Sequence, residues 1–102
     1  MVVSQSNSNE PSLSFEGDSH RLFIEGRGFD FKKLVVDSMG KAILSLSTSG
    51  ENLYSYLDFE EPRFVYVVSR IGVKDLILQG CRIEEIEGDN CILSFSKLQK
   101  DA

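Results

Sequence analysis

The chain has little of what catalytic and metal sites are built from. Its 102 residues include one histidine, His20, and two cysteines, Cys81 and Cys91. Two thiols and one imidazole cannot complete a four-ligand zinc site without carboxylates. Free, partly buried thiols acting as small hydrophobes are the expectation. Asp18 and Glu25 are near His20 in sequence. No Ser or Cys motif joins them to make a nucleophile with its base. His20 is therefore expected to face solvent at a strand edge. Gly26-Arg27-Gly28 is followed by no helix pattern, Lys-Ser/Thr pair or downstream ribose-binding acid. It does not read as a phosphate loop. Glu84 and Glu85 are adjacent, so on one strand they point to opposite faces and cannot share acid and base work. Glu84, Glu87 and Asp89 read as a solvated hairpin tip without calcium-loop spacing. The sequence predicts no enzyme, no catalytic residue, no cofactor and no metal.

Long apolar runs are also missing. None approaches the roughly 20 residues needed to span a bilayer. Met1 to Ser14 has neither the basic start nor the apolar stretch of a signal peptide. The expected compartment is therefore a cytoplasm, or a particle assembled in one. Basic clusters are equally scarce. The 11 Lys and Arg residues face 16 Asp and Glu, the net charge is −5, and Lys32-Lys33 is the one adjacent basic pair. Neutralising phosphates takes clustered cations, so direct binding to nucleic acid or an anionic membrane is disfavoured.

What is present is enough for one core. Apolar residues make up 41% of the chain, too many for a disordered polymer. Residues 1–12 form a Ser/Asn-rich tract that cannot offset its own ordering entropy, and they read as a polar arm. Residues 13–98 read as a single β domain, and 99–102 as a short tail. Within the domain, Leu22 to Glu25 is strand-like and stops at a turn or bulge over Gly26-Arg27-Gly28. Phe29 to Lys32 alternates at period 2, then Leu34 and Val36 change parity, which predicts a bulge near Lys32-Lys33. Asp37-Ser38-Met39-Gly40 is a turn, and Lys41 to Ser47 alternates again, with Leu44 and Leu46 inward. Phe64 to Val68 is the strongest β stretch, expected to be central with both faces covered. Asp75 to Gln79, Cys81 to Ile86 and Asn90 to Ser96 are three further runs. The last two flank a hairpin turn at Glu87-Gly88-Asp89-Asn90. Leu22 to Gly26 and Leu76 to Gly80 echo one another, a pattern that β proteins reuse readily. Thr48 to Phe59 fits a short capped helix and an irregular strand equally well. The fold class predicted is all-β, a small barrel or two-sheet sandwich of six to eight short strands with at most one short helix.

Seven phenylalanines are available for the core. Tyr54 and Tyr56 are candidates for a contact patch, with Asp58, Glu60 and Glu61 beside them, because tyrosine suits interfaces. The competing role for the two rings is to cover one end of the barrel. Three functions follow in order. The first is a non-catalytic protein-protein interaction or assembly module, including a repeated homo-oligomeric subunit of a virus-like particle, since β-edges can add strands across subunits. The second is a small acidic inhibitor occupying a partner's basic nucleic-acid-binding surface. The third is a small-ligand-binding β-barrel.

Overall fold

The computed structural model describes residues 12–46 and 51–100, and over these the chain is all-β. Its strands are β1 (Leu13–Glu16), β2 (His20–Ile24), β3 (Arg27–Phe29), β4 (Lys33–Val36), β5 (Lys41–Ser45), β6 (Arg63–Ser69), β7 (Lys74–Glu87), β8 (Asn90–Ser94) and β9 (Lys97–Lys100). A single helical turn, α1 (Glu51–Tyr54), lies between β5 and β6. The described residues thus form nine strands, above the six to eight expected. They join in one antiparallel sheet, β1-β4-β5-β8-β7-β6-β2-β3, with β9 also on β7. The expected arm lies outside the described residues, apart from Ser12. Residues 99 and 100, read as tail, belong to β9.

The departures from expectation have local causes. Asp75–Gln79 and Cys81–Ile86, read as two strands, are one 14-residue strand, because Gly80 takes φ 66° and bends the chain without ending it. The first half of β7 pairs with β6 and β9, and the second half with β8. Two lobes result. Lobe I holds β1, β4, β5, β8 and the end of β7; lobe II holds β2, β3, β6, β9 and its beginning. The turn after β2 is Glu25-Gly26, both at positive φ (54° and 81°), so Arg27 and Gly28 belong to β3. The parity change after Phe31 is a crossing between lobes, not a bulge. β3 pairs with β2 in lobe II, and β4 pairs with β1 and β5 in lobe I. Gly17 permits that crossing: a Cβ there would stand 1.7 Å from the Phe31 carbonyl oxygen.

The core is aliphatic. Leu22, Ile24, Leu34, Leu44, Val65, Val67, Leu76, Leu78 and Leu93 from both lobes are fully buried in one cluster. Phe31 is the buried phenylalanine, whereas Phe59 and Phe64 are about half exposed (53% and 51%). β6 is central, flanked by β2 and β7. Only its inner face is covered, because Phe64, Tyr66 and Val68 point outward at period 2. The two echoing runs flank β6, Leu22 and Leu76 both opposing Val67. Their glycines act differently, since Gly26 closes a hairpin and Gly80 bends a strand. Thr48, the expected helix cap, lies outside the described residues; Leu53 closes the turn by accepting from Tyr56 and Leu57 amides at 2.9 and 3.0 Å. No helix among the described residues is long and apolar enough to cross a membrane.

Candidate functional site

The structure divides the five residues singled out as a contact patch. Tyr54 and Tyr56 are half-buried and pack against the core. Burial, then Cys91 and Asp89, push the Tyr54 phenol up. Tyr56 lies 5.5 Å from the Phe29 ring and 5.6 Å from the Arg27 guanidinium. Asp58, Glu60 and Glu61 are exposed. Asp58 Oδ1 accepts from the amides of Glu61 and Glu60 at 2.8 and 2.9 Å, and these bonds hold its carboxyl below the usual range. Arg63 pairs with Glu61 and Glu25. The segment is built around a carboxylate-capped turn, with the tyrosines facing inward.

His20 does not simply face solvent at an edge. Its Nε2 lies 2.6 Å from Asp75 Oδ2, its Nδ1 lies 2.8 Å from Ser19 Oγ, and its ring meets Phe15 edge-on at 5.1 Å. An ionised carboxylate only accepts, so Nε2–H donates to Asp75. The three residue types are those of an acyl-transfer relay. Here, however, Ser19 adjoins His20, and its single hydroxyl proton is contested between His20 Nδ1 and the Glu16 carbonyl, which lies 3.3 Å from Oγ. The bonds tie the start of β2 to the start of β7 across the end of β6.

Two further features lie at opposite ends of β7. Near its start, the outer face of lobe II interleaves cations with rings. Arg21 stands 5.7 Å from the Phe23 ring, Lys74 stands 5.2 Å from Tyr66, and Phe64 stacks on Tyr66 at 6.3 Å. Phe23, Gly26, Tyr66, Val68, Gly72 and Lys74 line a hollow of about 310 Å³ there. At its other end, Glu84, Glu85, Glu87 and Asp89 are all exposed around the β7–β8 turn. Glu84 occupies a bulge between the Ile83 and Glu85 pairs and meets Lys41. The simple two-face alternation expected for Glu84 and Glu85 therefore breaks there. A hydrogen bond with Glu87, then the charges of Glu87 and Glu84, hold the Glu85 carboxyl above its ordinary range.

Cys81 and Cys91 are free and buried. Burial pushes both thiols up, Cys91 to about 11 and Cys81, with a further contribution from Cys91, to about 12. Among the described residues no group of three or more His, Cys, Asp or Glu side chains could hold a metal ion. Sequence reasoning found the acidic tip because its residues are contiguous. The other features join segments far apart in the chain. Comparison with protein-family models, curated proteins and solved structures returns no match.

Proposed function

We propose that the domain is a non-catalytic assembly module that binds copies of itself head to tail. The acidic β7–β8 tip of one copy would sit on the ring-and-cation face of lobe II in the next. One observation carries this reading: four exposed carboxylates lie around one end of β7, and Lys74 and Arg21, the latter paired with Asp30, lie among aromatic rings near the other. The two surfaces belong to different lobes, carried by different halves of the 14-residue strand β7. Heterologous contacts of this kind build rings or filaments, as a repeated subunit of a particle in the cytoplasm would require.

Light scattering on a sizing column, across protein concentrations at low and high salt, tests it. The expected result is a mass that rises with concentration and falls with added salt, because rim charges are screened. Glu85→Lys with Glu87→Lys should give a monomer, as should Arg21→Glu with Lys74→Glu. Mixing the two variants should restore association. A wild-type monomer under every condition overturns the proposal. The same acidic tip supports a second reading, the small acidic inhibitor; a wild-type monomer held on poly-lysine and released by the tip substitutions favours it.

A further inference from the structure

The strand register sets a row of rings between two sets of cations on the outer face of lobe II. The row runs Phe23, Tyr66, Ile77 and Gln99 across β2, β6, β7 and β9. Arg21 and Lys74 flank it on one side, both opposite Val68, and Lys97 flanks it on the other, opposite Gln79. Their neighbours Leu22, Val67, Leu76 and Leu78 are buried in the core, so these residues point outward. No carboxylate belongs to these rows. Asp75 is bonded to His20, and Asp30 pairs with Arg21 from beyond the end of β3. Among the described residues, neither Lys74 nor Lys97 forms an ion pair. Phe64, two residues before Tyr66 and stacked on it, is 51% exposed.

We infer that this face binds single-stranded RNA. Unpaired bases stack on Phe23, Tyr66 and Phe64, and phosphates meet Arg21, Lys74 and Lys97. A cation stands beside the Phe23 ring and another beside Tyr66, so a base on either ring brings its phosphate to a charge. A duplex hides its bases and would leave the rings unused. Gln79 Nε2 donates to Gln99 Oε1 at 3.1 Å, which leaves Gln79 Oε1 and Gln99 Nε2 open to a ribose 2′-hydroxyl. The net charge of −5 opposes such binding by the molecule as a whole, so the attraction is local and salt-sensitive. The three cations come from three strands, and no run in the sequence shows them together. The acidic tip proposed above would occupy the same face, so RNA and self-association compete. Their failures are distinguishable: a wild-type monomer that binds RNA removes only the assembly reading, and self-association without RNA binding removes only this one.

A labelled uridylate dodecamer is the probe, followed by fluorescence anisotropy and by backbone amide resonances of the whole chain. Saturable binding should move the Phe23, Tyr66 and Ile77 amides. Phe64→Ala should weaken it about tenfold, and Phe64→Tyr, which keeps a ring, should bind like wild type. Lys74→Gln with Lys97→Gln should flatten the slope of log affinity against log salt by about 1.4, at about 0.7 for each phosphate contact. Lys32→Gln with Lys33→Gln, at the start of β4, should leave that slope unchanged. Four results overturn the inference: no saturable binding at low salt, a folded Phe64→Ala variant that binds like wild type, a slope unmoved by the Lys74 and Lys97 substitutions, or equal binding of the matching deoxyuridylate. Cosedimentation with phosphatidylglycerol vesicles, without RNA binding, would assign the face to a bilayer surface and overturn it as well.

Discussion

His20 and Asp75 are 55 positions apart in the sequence, yet Nε2 and Oδ2 meet at 2.6 Å. The contact is a charge-assisted bond between two strands that never pair, β2 and β7, spanning the central strand between them. Asp75 is 37% exposed, so water screens part of its strength. A double-mutant cycle with His20→Gln and Asp75→Asn should return a coupling of about 1 kcal/mol. The readout is the denaturant midpoint at unchanged slope. Additive effects of the two substitutions would show that the bond contributes nothing to stability.

Val67 is fully buried on the inner face of the central strand. Val67→Asp would bury a carboxylate with no cation beside it. That costs several kcal/mol, against a total stability of about 5–15 kcal/mol for a typical domain. The expected outcome is an unfolded or insoluble chain, while Leu78→Ala, a milder change in the same core, should cost about 2–5 kcal/mol. A folded Val67→Asp variant with an unchanged melting temperature would contradict the placement of β6.

Gly80 holds φ 66°, and a Cβ there would stand 2.4 Å from Ser96 Oγ. Gly80→Ala should therefore lose about 1–2 kcal/mol for the left-handed backbone, plus the cost of displacing Ser96. Adding Ser96→Ala should recover the second part and leave the first. Since Ser96 Oγ donates to the Gln79 carbonyl at 3.0 Å, the Ser96→Ala variant alone supplies the baseline. Full recovery in the double variant would mean that the backbone at Gly80 carries no strain.

The two thiols hold their protons more tightly in the folded chain than at their ordinary value of 9.0. Above about pH 9 the unfolded chain is deprotonated first, so stability falls as pH rises. The loss is about 1.4 kcal/mol per pH unit for each thiol. It runs to about pH 11 for Cys91 and about pH 12 for Cys81. Cys81→Ala should show a shallower alkaline decline than wild type. Alkylation should add two labels in denaturant without reductant and almost none to the native chain near neutral pH. Zero labels in denaturant on an unlinked monomer would indicate an internal disulfide.

How legible these features were depended on how locally they are encoded. The β7–β8 hairpin was readable, down to Ile86 opposing Cys91, because a Gly-Asp-Asn turn between two apolar runs is a short-range signal. The crossing after Phe31 was not: alternation in Phe29-Asp30-Phe31 looks the same whether the chain stays in a sheet or leaves it. Gly80 misled for a related reason, since a glycine that bends a strand and one that ends it have the same neighbours. β9, with Lys97, Gln99 and Lys100 around a single Leu98, carries too little apolar periodicity to register as a strand. It exists because its backbone groups pair with β7. At the candidate sites, the acidic tip was visible as a charge run. The inward packing of Tyr54 and Tyr56, and the Ser19, His20 and Asp75 chain, depend on tertiary contacts that no local pattern records.

Because β7 supplies hydrogen-bond partners to both lobes, neither lobe is a complete folding unit. Opening lobe I strips the end of β7, and opening lobe II strips its beginning. Either event exposes part of one shared apolar cluster. The domain should therefore melt all-or-none, with calorimetric and van't Hoff enthalpies in agreement. Protection against amide exchange should be greatest in the middle of β7 and least on the three-residue edge strand β3, whose amides open by local fraying.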